Sequence, residues 1–236
     1  MTATGTPVGR GTPAGAQAVL DFWFGTEAVA RPEWFRKREA FDREIEQRFG
    51  LALTAALERS DAVAQAAASH GQEGATAAAA VPFDAASPLA GWRNTPRARL
   101  ALLLVCDQFP RNVHRGSARA FAGDALGRTL AREFIDRADD TVLPWFWRAF
   151  VYLPLEHSES LADQDESVRL YSSLVAQAAA SASAATLGSL EGMLDYARRH
   201  HAVVAHFGRF PHRNTSLGRE STEAEQAFLQ QPGSSF

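Results

Sequence analysis

Two short stretches of this chain repeat one arrangement of residues suited to holding an anion. The first reads Phe109-Pro110-Arg111-Asn112, followed by Arg115-Gly116-Ser117. The second reads Phe210-Pro211-His212-Arg213-Asn214, followed by Gly218-Arg219 and Ser221, with Arg209 just ahead of it. No acidic residue lies between Gln108 and Gly123 or between Ala197 and Gly218, so each stretch is locally basic. Arginine offers a fork of donors matched to phosphate or carboxylate. Asn and Gly tolerate positive φ, so Asn112, Gly116, Asn214 and Gly218 can shape compact turns. Each stretch precedes a new helix, with Ser117 and Ser221 near its start. The free N–H groups and positive dipole end of a helix favour the same kind of ligand. The candidate binding set is Arg111, Asn112, Arg115, Arg209, His212, Arg213, Asn214 and Arg219. A plainer role competes with it: these side chains could tie the loops down, and a duplicated hairpin would repeat its turn as readily as a site. Asp107 bears on both, because it shares a helical face with Leu103 and Leu104 and, once buried, needs a cationic partner such as one of these arginines.

A second group could move protons. Leu155-Glu156-His157-Ser158-Glu159, followed by Asp163 and Gln164, packs two carboxylates and an imidazole into four residues after Pro154. Glu156 and Glu159 are expected on one helical face at i, i+3. His157 beside a carboxylate has the composition of a general base. The bland alternative is a helix N-terminus whose acids oppose the dipole. No E-x-x-H or H-x-x-x-H spacing accompanies these residues, so no metal site is expected. His200 lies on an apolar helical face with Met193, Tyr196, Val203 and Phe207, where a hydrogen-bonded core histidine is the commoner outcome.

Bulk composition narrows the classes of function. Net charge is −3, so no global field favours nucleic acid or anionic lipid, and any basic function is local. The single cysteine, Cys106, has no partner for an internal disulfide and sits in the apolar run 100–106, where it reads as a small buried hydrophobe. The N-terminal residues lack the basic and apolar regions of a secretory signal. No apolar run approaches the roughly 20 residues of a membrane span. The expectation is a cytoplasmic protein that binds neither nucleic acid nor membrane, with no particular cofactor and no oligomeric state legible.

The elements that would position these residues read as helices throughout. Residues 1–13 are expected as a disordered tail, and 14–232 as one all-α domain. Val19, Leu20, Trp23 and Phe24 make the first apolar stripe. Trp34, Phe41, Ile45 and Phe49 make a second, and residues 51–68 a third, alanine-rich helix. Residues 69–89, rich in Ala, Gly and Pro, are expected as a mobile loop because they offer little apolar surface against their ordering entropy. Thr95-Pro96 starts a helix apolar nearly all round and therefore central, with Pro110 as its end. Further helices are expected from Asp124 to about 138, from Trp145 with Pro154 as an interruption, from Leu161 to about 180 and from Leu187 to Phe207. Thr222-Glu223-Ala224-Glu225 has the form of a capping box opening the last one. The total is about eight to ten helices, arranged as stacked antiparallel hairpins.

Several of these strings together resemble the DUF924 family of bacterial and fungal proteins. The resemblance is carried by Val19-Leu20-Asp21-Phe22-Trp23-Phe24-Gly25, residues 102–115 (LLLVCDQFPRNVHR), Ala118-Arg119-Ala120-Phe121, residues 152–159 (YLPLEHSE) and residues 207–219. It implies a tetratricopeptide-like helical fold, but no reaction, since the family name records an unassigned function. The chain departs from the pattern chiefly at 69–89 and at Cys106, where leucine is expected. Two functions from different classes follow. One is a site for a small anionic molecule between the two basic loops, with Glu156, His157 and Glu159 as acid/base groups. The other is a non-catalytic module binding a peptide or protein partner along a concave helical surface. For the first to hold, the basic loops and the Glu156–Glu159 segment must face one another, and Arg111 and Arg213 must not be fully sequestered by carboxylates.

Overall fold

In the computed structural model, which describes residues 12–25, 30–34 and 36–234, the described residues form eight α-helices and no strand. Most of the expected tail, residues 1–11, lies outside the described residues. Helix α1 (Ala14–Phe24) buries Val19, Leu20, Trp23 and Phe24. Trp34 sits in a separate short turn, where its indole N–H donates to the carbonyl of Trp23 at 2.8 Å.

Helix α2 (Glu39–Ala80) corrects two expectations. Gly50 does not break it, and the segment expected as a mobile loop at 69–89 is helical as far as Ala80. Alanine is the best helix former, so the low complexity of this segment favours helix rather than disorder once one face is covered. The helix bends sharply at Gly71 (φ 63°, ψ −157°), a conformation open essentially to glycine alone. The segment beyond returns along its own helix: Ala75 and Ala79 are buried, and the Arg59 guanidinium donates to the carbonyl of Val81 at 2.5 Å. A turn-rich stretch then leads to α3.

Helix α3 (Pro96–Val113) is the centre of the molecule. Thr95 caps it by accepting from the Ala98 N–H at 3.2 Å, and residues 100–106 are fully buried. Cys106 is among them, and burial pushes its thiol well above the ordinary range, which leaves it inert rather than nucleophilic. The expected end at Pro110 is overturned: the helix runs three residues further. Pro110 removes the N–H that would have served the carbonyl of Cys106. Side chains stitch the tail down instead, Arg111 donating to the Asp107 carbonyl at 2.7 Å and Asn112 to that of Gln108 at 3.1 Å.

The carbonyl that Pro110 releases is where α4 (Asp124–Asp136) begins. Gly123 passes so close that a Cβ on it would lie 1.9 Å from the Cys106 oxygen. One turn on, a Cβ at Gly127 would lie 3.7 Å from the Asp107 Cβ and 3.8 Å from that of Pro154. Small residues at 123, 127 and 131 thus seat α4 deep against α3 and α5 (Trp145–Glu156). Pro154 stays inside α5 rather than interrupting it. Short connections join α5 to α6 (Leu161–Ala178) and α6 to α7 (Ala184–Phe207). The capping box at Thr222 and Glu225 forms as read and opens α8 (Glu223–Leu229).

Candidate functional site

The tail of α3, the start of α4, the turn between α5 and α6, and the segment between α7 and α8 meet at one place. Arg111 and Arg213, the equivalent arginines of the two copies, converge on a single carboxylate. Arg111 donates to Asp124 Oδ1 at 2.9 Å and Arg213 to Oδ2 at 3.1 Å. Both guanidinium groups lie over the Phe121 ring, at 5.9 and 4.6 Å from its centroid. Arg213 also donates to the carbonyl of His157 at 2.8 Å, which fixes the α5–α6 turn against the two copies. The basic stretches and the Glu156–Glu159 segment therefore do face one another, while both arginines are already paired with carboxylates, Arg111 with Asp107 and Asp124 and Arg213 with Asp124.

Asp107 and His157 form a dyad beside this pair. His157 Nδ1 lies 2.8 Å from Asp107 Oδ1, Gln108 donates to Oδ2 at 2.6 Å, and Arg111 approaches Oδ1 at 3.3 Å. Burial alone would raise the Asp107 pKa, but His157 and Arg111 together outweigh it and hold the carboxyl below its usual range. Burial, helped by the Arg111 charge, pushes His157 down instead. We take His157 as neutral at pH 7 and Asp107 as ionised. A carboxylate can only accept, so the ring proton sits on Nδ1 and Nε2 carries a lone pair. Asp107 is fully buried whereas the His157 side chain keeps 14% of its surface, so the imidazole is the reachable member.

Glu156 and Glu159 do not share a helical face, contrary to expectation. Glu156 ends α5, and His157 leads into a turn, so the two carboxylates diverge. Glu156 points inward and meets His200, whose Nδ1 is 3.1 Å from Oε1 and 2.9 Å from the Tyr196 carbonyl. Burial and the nearby Asp107 charge push the Glu156 pKa well up, which favours the protonated carboxyl. Burial and the neighbouring His157 push His200 down to about 3. Glu159 faces outward, taking the Phe210 N–H at 2.8 Å and both Arg219 terminal nitrogens at 2.7 and 2.8 Å.

The remaining candidates divide. Asn112 and Asn214 play parallel roles: each accepts from the arginine that follows it, Arg115 at 2.6 Å and Arg219 at 3.0 Å. Arg115 then reaches away to Asp42, and Arg209 is forked onto Glu225 at 2.6 and 2.8 Å. Both serve as ties rather than as members of the central group. His212 stands close enough to Arg213 that burial and that charge lower its pKa to about 4. Asp124 was legible only as the start of α4, where Gly123 rather than Asp124 takes the cap position, and Arg128 and Arg132 were not singled out. Their i, i+4, i+8 spacing was the available signal, since it places all three on one face of α4.

Among the described residues no group of three His, Cys, Asp or Glu side chains is placed to hold a metal ion, and no helix is long and apolar enough to cross a membrane. A hollow of about 270 Å³ lies beside Arg97 and Trp147, and an apolar groove of about 480 Å³ runs between α7 and α8 past Val203, Phe207 and Phe228. Neither is lined by the convergent arginines.

The model of the family described as bacterial protein of unknown function, DUF924, matches residues 19–233. A solved structure from Agrobacterium tumefaciens, titled as the protein of unknown function ATU0120, is 32% identical over 93% of this chain and 99% of that one, with a TM-score of 0.67. No curated protein matches the chain.

Proposed function

The chain belongs to the DUF924 family of bacterial proteins of unknown function, and we propose that its site binds a small molecule through a phosphate or carboxylate held by Arg111 and Arg213, with His157 as the proton-accepting group. One observation carries this: two arginines 102 positions apart in sequence, each from one copy of the repeated phrase, lie on the two oxygens of one carboxylate at 2.9 and 3.1 Å. Asp124 then occupies the place of the ligand's anionic group, as an internal clasp that a ligand displaces. It is a suitable clasp, being 28% exposed while Arg213 is 7% exposed. Arg111 Nη2 and Arg213 Nε are buried and lack a hydrogen-bond partner, so the pair has donors left over after Asp124 is served. Asp107 orients the His157 ring and fixes its tautomer, leaving Nε2 as a base at the edge of the site. Glu159, the second acid of this segment, is committed to Arg219 and holds the second copy in place.

An internal clasp has a measurable consequence. Asp124→Asn keeps the shape and one acceptor oxygen but removes the competing charge. Calorimetric titration with inorganic phosphate is expected to show binding at least about tenfold tighter in Asp124→Asn than in wild type, a gain of about 1.4 kcal/mol. Arg213→Gln is expected to lose it. If folded Asp124→Asn binds phosphate no better than wild type, the arginines serve the fold alone.

A further inference from the structure

The face of α4 that begins with Asp124 continues with Arg128 and Arg132, one and two turns along. Both guanidinium groups contact the same carboxylate, Asp163, which is fully buried in the first turn of α6. Ser158 donates to it as well, at 2.7 Å. Two arginines thus share one carboxylate, and each keeps 37% of its side chain exposed. The other acids nearby do not complete the balance: Glu166 is forked onto Arg169 at 2.6 and 2.8 Å, and Asp165 pairs with His201 at 2.8 Å. At the first arginine pair, by contrast, Asp124 and Asp107 match Arg111 and Arg213 charge for charge.

The two pairs are joined through consecutive residues. His157 gives its carbonyl to Arg213, and Ser158 gives its hydroxyl to the carboxylate that gathers Arg128 and Arg132. The α5–α6 turn therefore lies along this face of α4, touching Arg213 directly and reaching Arg128 and Arg132 through Asp163. At 1.5 Å per residue, Arg128 and Arg132 stand about 6 and about 12 Å along the helix axis from Asp124. We infer that the ligand carries two anionic groups, the first displacing Asp124 from Arg111 and Arg213, and the second, some 6–12 Å away, held by the exposed edges of Arg128 and Arg132. This rests on the reading of the first pair as a binding site. It narrows the substrate class to dianions such as bisphosphates or dicarboxylates, whose connecting chain would pass the reachable edge of His157.

The test is a titration with succinate, adipate and suberate, each compared with the monocarboxylate of equal length, against wild type, Asp124→Asn, Arg128→Gln and Arg132→Gln. Each arginine is replaced singly because the other keeps Asp163 paired and the fold intact. The expected result is a dicarboxylate binding at least about tenfold tighter than its monocarboxylate, with the best chain length matching the spacing above. Arg128→Gln and Arg132→Gln should shrink that advantage several-fold and leave monocarboxylate affinity unchanged. A dianion binding no better than its monoanion, or an advantage untouched by both variants, overturns the second subsite while the first stands. If Asp124→Asn binds neither kind of anion, the first site itself falls and this inference falls with it.

Discussion

Gly123→Ala is expected to destabilise the protein by about 3 kcal/mol or more, a large effect for one added methyl group. The added Cβ would sit 1.9 Å from the carbonyl oxygen of Cys106 and 2.7 Å from its carbon. Both are backbone atoms in the buried stretch of α3, so neither can turn aside as a side chain would. Relief requires α4 to back away from α3. That movement would pull Asp124 off Arg111 and Arg213, so the variant should also lose whatever affinity the arginine pair has. The close approach exists because Pro110 leaves the Cys106 carbonyl without its usual helical donor. Gly188→Ala is the control. Gly188 lies within α7 with nothing inside 4 Å of its added methyl, and alanine there should add roughly 0.5–1 kcal/mol through helix propensity. Urea melts of both variants decide the matter. A Gly123→Ala protein as stable as wild type would mean that α4 is not seated where described.

Helix identity was legible where one signal dominated. The Thr95-Pro96 start and the Thr222–Glu225 capping box were readable because each cap is a local bond between residues three apart, and both form. The central place of α3 followed from its apolar character on all sides. The prolines misled for a physical reason. Pro110 and Pro154 remove one donor each, and a helix packed on several sides can survive that loss when side chains and neighbouring backbone fill the gap. The segment at 69–89 misled in the opposite sense, since its alanines read as low complexity while Ala75 and Ala79 are buried against the preceding helix.

The candidate site was legible as a list of residues but not as a geometry. Repetition of the Phe-Pro-(His)-Arg-Asn phrase marked Arg111 and Arg213, and the structure brings both to one carboxylate. Which arginines belong to the centre was not readable, because Arg115 and Arg209 carry the same local sequence signals and differ only in pairing with other carboxylates, Asp42 and Glu225. Asp107 was recognised as a buried carboxylate in need of a cation, and Arg111 does approach it. Its second partner, His157, is 50 residues away and could not be paired with it from sequence. The opposed directions of Glu156 and Glu159 depend on α5 ending at Glu156, a boundary that no capping residue announces.

The second large effect concerns pH, and it tests whether the Glu156–His200 contact holds a proton at neutral pH. At 3.1 Å the pair could be an ion pair or a neutral one. The interior favours the neutral form: Glu156 is buried beside the negative Asp107, and His200 is buried beside His157, its pKa lowered to about 3. An unfolded histidine takes its proton near pH 6.5. Below that pH the unfolded chain holds a proton at His200 that the native state refuses, so stability falls by about 1.4 kcal/mol per pH unit, or about 2 kcal/mol from pH 7 to 5. His157 and His212, also pushed down, add to this loss. Glu156 works the other way. Its native form keeps a proton that the unfolded chain has released above about pH 4.3, so its contribution to stability grows as pH falls. Glu156→Gln removes only that opposing contribution, because an amide is neutral throughout. The variant should gain on wild type as pH rises from 5 to 8 and lose stability more steeply on acidification, by up to about 1.4 kcal/mol per pH unit. Chemical denaturation of both proteins across that range reads the slopes. Parallel curves, or a variant that weakens relative to wild type toward high pH, would mean that the pair holds no buried proton, with Glu156 ionised beside a neutral His200. The neutral interior behind His157, which keeps that imidazole a base at pH 7, would then be absent.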